Sequence, residues 1–308
     1  MAWLKKNKTN FHFQQQKVML KKILKWTGII IGSLLAIVLV FYAVVYFSTE
    51  ARINKVYDVK LEKLVIPNDS AAYKEGKHIA ENRGCLGCHG QNLSGGIVFF
   101  DETSPLGILA TANLTSGKGG INYTDEDWVR ALRHGLAKDN KSVWFMPSNE
   151  VCNISNHDMA ALICFLKQQP PVDKIVPAKS ITPLTRVLVF LDKFQLFPAE
   201  IIDHNAVYKD TVTPAVTAAY GEYLTTSCQG CHGAQMKGNP PHGDNEPPIP
   251  NISSTGVVGK WTDTDFLTAL HTGKTPEGKQ LSDYMPWKAL TYTDDELKAI
   301  YLYLHGLK

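Results

Sequence analysis

Residues 26–47 carry no charged side chain, and residues 1–25 carry no acid. The uncharged run is mostly Ile, Leu, Val, Ala, Phe and Tyr, and it is long enough to cross a bilayer as a helix. Before it lie Lys5, Lys6, Lys8, Lys17, Lys21, Lys22 and Lys25, a cluster that predicts a cytoplasmic N-terminus. Trp26, Tyr42 and Tyr46 suit the two interfaces. The run exceeds the length of a signal-peptide core, and no small-x-small cleavage site follows it, so we read a retained anchor. No cysteine precedes Cys85, which excludes a lipoprotein anchor. The chain also lacks a basic body. Its formal charge of +3 comes from the N-terminal lysines, because acids slightly outnumber bases beyond residue 51. That balance gives no case for a nucleic-acid partner.

Cysteine is sparse, with six in 308 residues, and four of them fall in one repeated pattern. Cys85-Leu86-Gly87-Cys88-His89 returns as Cys228-Gln229-Gly230-Cys231-His232. Two cysteines three positions apart on a short helix present both sulfurs to one side, where they form thioethers with the vinyl groups of a haem. The following histidine then offers its ring to the iron. A four-cysteine zinc ribbon normally keeps its pairs about 15 to 20 residues apart, far closer than these. The His-Gly behind each pair is also something neither zinc nor dithiol chemistry needs. Two covalently bound haem c groups are therefore expected. Cys152 and Cys164 remain, and they are expected as small buried thiols.

The repeat extends well past the haem motif. Asn113-Leu114-Thr115 returns as Asn251-Ile252-Ser253, Tyr123-Thr124-Asp125 as Trp261-Thr262-Asp263, and Met146-Pro147 as Met285-Pro286. Shared order over so long a stretch predicts two tandem domains. We divide the chain into a cytoplasmic basic tail (1–25), a transmembrane anchor (26–47), a charged stalk (48–69), a first domain (70–170), a linker (171–204) and a second domain (205–308). Helices are predicted where capping residues precede apolar residues at helical spacing: from Ala71, from Thr124 and Thr262, from Asn156 and from Thr293. The expected fold class is all-α, with long Gly- and Pro-rich loops closing over a cofactor. In the linker, Leu184, Val187, Leu188, Leu191 and Phe194 trace an apolar stripe, expected to pack between the two domains.

A haem held this way keeps one iron face open. Met146 and Met285 lie at matching positions, each followed by proline and just ahead of the last helix of its unit, and are the expected second ligands opposite His89 and His232. His134 aligns with Thr272 in the copy, and His204 and His242 have no counterpart, so these are expected as surface or capping histidines. Asn113, Tyr123, Asn251 and Trp261 are candidates to hydrogen-bond haem propionates, with core packing and loop capping as their alternative.

These residues resemble the membrane-anchored c-type cytochromes of bacteria with two class I cytochrome c domains. They are similar to the cytochrome subunits of periplasmic alcohol, aldehyde and sugar-acid dehydrogenases. Those subunits usually carry three such motifs, and this chain carries two. The resemblance implies His/Met iron and electron transfer between a dehydrogenase or quinol-oxidising complex and a downstream cytochrome or terminal oxidase. It places the haem domains on the periplasmic side of the inner membrane. The alternative is a haem enzyme of the diheme peroxidase or thiosulfate dehydrogenase type, with one displaceable ligand. Cys228→Ala is expected to weaken covalent attachment at one site only, leaving the single thioether of Cys231, so the pyridine haemochrome band of one haem should shift to longer wavelength while the other stays as in the parent.

Overall fold

The computed structural model describes residues 2–241 and 247–308, with the side chains of the first helix from Met19 onward. His242 lies outside the described residues, and so do the side chains of Lys5, Lys6, Lys8 and Lys17.

The first helix, α1, runs over Ala2–Ile53, and its Met19–Ile53 portion is long and apolar enough to cross a membrane. The expected anchor stopped at residue 47. The helix continues because Ser48 to Ile53 holds no glycine or proline, and Thr49 reinforces the turn by donating from Oγ1 to the Val45 carbonyl at 2.7 Å. The linker helix, α7 (Pro183–Phe190), corrects a second expectation. It packs with α1 in one compact unit. Its Phe190 ring meets Phe41 edge-on at 6.1 Å, and Arg186 donates to Glu50 at 2.6 Å while lying over the Tyr46 ring. The apolar stripe thus has a hydrophobic partner in α1, which composition alone did not single out.

Residues 53–182 and 195–308 form the second compact unit. It is mostly helical: α2 (Ser70–Asn82), α3 (Cys85–His89), α4 (Asp125–His134), α5 (Ser148–Val151), α6 (Asn156–Lys167), α8 (Ala218–Leu224), α9 (Gln229–His232), α10 (Asp263–Thr272) and α11 (Asp294–Gly306). Each start has a local cause. Asp69 caps α2 through Ala71 N and Ala72 N, Ser155 caps α6, and Thr124, Thr262 and Thr293 open α4, α10 and α11 with full capping boxes. Gly135 and Gly273 end α4 and α10 in the left-handed conformation.

The all-α expectation fails in one place. Strands β1 (Val98–Phe100), β2 (Gly107–Ala110) and β3 (Ser180–Ile181) make a small antiparallel sheet in the order β1-β2-β3. The long loop after the first haem motif contains Ile97-Val98-Phe99-Phe100, residues suited to an extended chain, and an Asp101 turn that folds it back.

Two helix pairs hold the cores. Helices α2 and α6 cross so closely at Gly76 that an added Cβ would sit 1.9 Å from the Ala161 carbonyl oxygen. Helices α8 and α11 cross the same way at Gly221, 1.9 Å from the Ala299 oxygen. Leu86, Leu132, Ile154, Met159 and Leu162 fill the first core, and Leu224, Met236, Phe266, Leu297 and Ile300 the second. Between the cores runs a polar seam. His78 Nε2 meets both Glu296 oxygens at 2.9 and 3.0 Å, Thr291 N donates to Asn82 Oδ1 at 2.9 Å, and Ser155 N donates to Tyr223 Oη at 2.8 Å.

Gly221→Ala should destabilise the protein by about 2 kcal/mol or more in a thermal melt, because backbone, not a movable side chain, occupies the space. The His78–Glu296 pair gives stability a pH window. His78 is raised above 6.5, chiefly by its bond to Glu296. Burial pushes Glu296 upward, but the His78 and Thr293 bonds outweigh it and hold the carboxyl below 4.5. The His78 contribution is complete below its unfolded pKa and is lost as pH rises through the raised folded value. The Glu296 contribution is complete above its unfolded pKa and is lost as pH falls through the depressed one. The stability gap between the parent and His78→Gln should therefore be widest between about pH 4.5 and 6.5 and shrink on either side, as read from denaturant melts.

Candidate haem sites

Both Cys-x-x-Cys-His segments form short helical turns directly after a longer helix, α3 behind α2 and α9 behind α8. His89 Nδ1 lies 2.8 Å from the Ala112 carbonyl oxygen, and His232 Nδ1 lies 2.9 Å from that of Pro250. A carbonyl only accepts, so Nδ1 carries the proton and Nε2 keeps a lone pair facing away from the backbone. That is the state an iron ligand needs, with the ring orientation fixed from behind. Burial pushes both imidazoles below the usual histidine range, the carbonyl bond opposing, so both rings are neutral at pH 7.

The four motif cysteines are unpaired thiols. Burial raises Cys85 to about 12 and Cys228 to about 11, and raises Cys88 and Cys231 as well. A redox dithiol works through a depressed thiolate pKa, and burial moves all four of these thiols the other way.

The loops behind the two histidines repeat one another bond for bond. Gly95 N donates to His89 O and Gly238 N to His232 O, while Leu93 N donates to Gly90 O and Met236 N to Gly233 O. Leu93 and Met236 both take left-handed φ, 55° and 56°. The methionine segments repeat too. Ser148 N donates to Met146 O at 2.8 Å and Trp287 N to Met285 O at 2.8 Å, closing a tight turn over Pro147 and Pro286, whose φ is −78° in each. Proline fixes φ there and holds the methionine's position. Cys85 and Met146 both pack against the first core, and Met285 is half-buried.

The propionate candidates have other work in the structure. Asn113 is buried, donates from Nδ2 to Val172 O at 2.8 Å, and accepts from Thr115 N and Thr115 Oγ1. Asn251 accepts from Ser253 N and Ser253 Oγ in the same way. Tyr123 packs edge-on to Trp128 at 5.4 Å, and Trp261 is part of the second core. These contacts fix the loops in front of α4 and α10, the alternative role set out for these residues.

Several groups escaped the sequence reading. His134 is fully buried, not on the surface. Its Nδ1 lies 3.1 Å from His204 Nδ1 and its Nε2 3.7 Å from Glu62. Arg83, directly after α2, donates from Nη2 to Tyr223 O at 2.8 Å and so ties the first motif to the helix preceding the second. Glu150 of α5 lies against the second motif, and burial, opposed by Arg83, raises its carboxyl to about 7. A lone Glu or Arg gives no spacing signal in the sequence. Cys152 and Cys164 are buried free thiols, as expected.

Residues 218–308 match the cytochrome c family, so the chain carries a cytochrome c domain, and such a domain implies covalently bound haem c. Over 78% of its length the chain is similar to cytochrome subunits of several dehydrogenases. It is similar to the cytochrome c subunit of the quinone alcohol dehydrogenase of Gluconobacter oxydans, 28% identical across 78% of this chain and 55% of the relative. It is similar also to the fructose dehydrogenase cytochrome subunit of Gluconobacter japonicus, at 25% across 78% and 54%. The gluconate 2-dehydrogenase cytochrome c subunit of Pantoea cypripedii matches at 22% across 78% and 60%. The chain spans about half the length of the curated relatives it matches.

Proposed function

We propose that the chain is a membrane-tethered diheme cytochrome c. In this reading it carries electrons from a dehydrogenase or quinol-oxidising complex to a downstream cytochrome or terminal oxidase on the periplasmic side of the inner membrane. The observation that carries the reading is the duplicated set of polar contacts. Each Cys-x-x-Cys-His turn has its imidazole held from behind by a backbone carbonyl, and each is paired in sequence with a methionine locked by a proline turn.

Haem c supplies a one-electron iron couple when bound. The chain's own residues do the rest. Cys85 and Cys88, with Cys228 and Cys231, anchor the two groups; His89 and His232 offer neutral Nε2 atoms; Met146 and Met285 offer thioether sulfur, which raises the reduction potential relative to a second nitrogen ligand. The apolar cores behind both motifs exclude water and favour the less charged ferrous state. Similarity to dehydrogenase cytochrome subunits supports a dehydrogenase as donor, and the apolar helix Met19–Ile53 supports tethering, with the lysine-rich end cytoplasmic.

Met146→Ala should remove one methionine-to-ferric-iron charge-transfer band and lower one of the two midpoint potentials, leaving the other haem as in the parent. Unchanged spectra would exclude Met146 as a ligand. A five-coordinate haem in the parent, or peroxide turnover by the purified protein, would turn the assignment toward a haem enzyme.

A further inference from the structure

The two haem-attachment turns share one acidic side chain. Glu150 stands on α5, four residues past Met146, and its carboxylate rests on the second motif. A Cβ added at Gly230, between Cys228 and Cys231, would lie 2.5 Å from Glu150 Oε1 and 3.2 Å from Oε2. The same carboxylate acts electrostatically on Cys88 of the first motif and on Cys228 and Cys231 of the second. The glycine at 230 leaves room for the acid from the other half of the unit to lie directly against the second motif.

Charged groups around Glu150 are few. Arg83, between α2 and the first motif, is the cation that acts on it, and Arg83 is itself held by the Tyr223 carbonyl while its Nη1 is buried without a hydrogen-bond partner. On α4, which packs against α5, Arg133 is directed to the carbonyls of Cys152, Ile154 and Ser155, and His134 to His204 and Glu62. Glu200 lies on the 198–200 turn packed against α5, and the Thr225–Cys228 turn brings only the Cys228 thiol. Among the described residues the Glu150 carboxylate accepts no hydrogen bond, so its charge is exposed to whatever charge changes at the two motifs.

We propose that Glu150 sets the potentials of both haems and couples them to one proton: ionised, it stabilises the oxidised and more positive state of each site, and it is protonated on reduction. This rests on the two-haem reading above. In the coupled step Glu150 takes one proton from water as one electron from a donor dehydrogenase converts ferric iron to ferrous. The carboxylate becomes a carboxylic acid, and the net charge of the seam is unchanged. Raising the pH through neutrality leaves the acid ionised and holds both potentials lower.

The test is redox titration of the intact detergent-solubilised protein from about pH 5.5 to about pH 8.5. Both midpoint potentials should fall with rising pH in the parent. In Glu150→Gln that fall should vanish, with both potentials staying at the parent's acid-side values, and Glu150→Asp should restore it. Redox-difference infrared spectroscopy of the parent at pH 7 should show a protonated carboxyl C=O band appearing on reduction, a readout that needs no variant. A fall that persists in Glu150→Gln, a flat parent profile, or no carboxyl band would overturn the proposal. Pyridine haemochrome counting separates the two layers: fewer than two haems per chain overturns the two-haem reading beneath it, whereas two haems with no Glu150 effect overturns this proposal alone.

Discussion

A single kind of hydrogen bond governs the candidate sites: an imidazole Nδ1–H given to a backbone carbonyl, His89 to Ala112 and His232 to Pro250. It decides three things together. It selects the tautomer, points Nε2 away from the protein backbone, and ties the motif to the loop that follows it. The loop must therefore return to a fixed place, and the rest of each half can be understood as the means of returning it. The turns at Gly90 and Gly233, the left-handed Leu93 and Met236, and the Asn113 and Asn251 side chains all hold that path.

The helix pairs supply the rigidity on which this bond relies. Where α2 meets α6 and α8 meets α11, glycine lets backbone touch backbone, and each motif follows that crossing along the chain, Cys85 after Gly76 and Cys228 after Gly221. Burying leucine, isoleucine and phenylalanine side chains there contributes about 1.5–3 kcal/mol each, far more than the exposed ion pairs of the surface such as Lys288–Asp283. The cost of placing neutral histidines in a dry site is met by that packing.

Much of this could be read from the amino-acid order alone. Helix starts were legible because capping is local: a Thr or Ser three residues ahead of an acid states where α4, α10 and α11 begin. The motifs and their repetition were legible because thioether attachment fixes residue types and spacing. Features that depend on distant partners were not. The small sheet needs Ser180–Ile181 to return beside Gly107–Ala110, and the α7 stripe needed the identity of its partner helix. The meeting of buried His134 with His204 and Glu62 joins three segments remote in sequence, so the two histidines by themselves read as surface or capping groups.

The seam between the cores carries one more implication. Asn82, Arg83, His78, Ser155 and Asp158 from one half are bonded to Thr291, Tyr223 and Glu296 from the other through side chains that interdigitate, not through the connecting polypeptide. A protease nick in the exposed stretch around residues 173–179 would therefore leave a noncovalent heterodimer of the two fragments, not two separable minidomains.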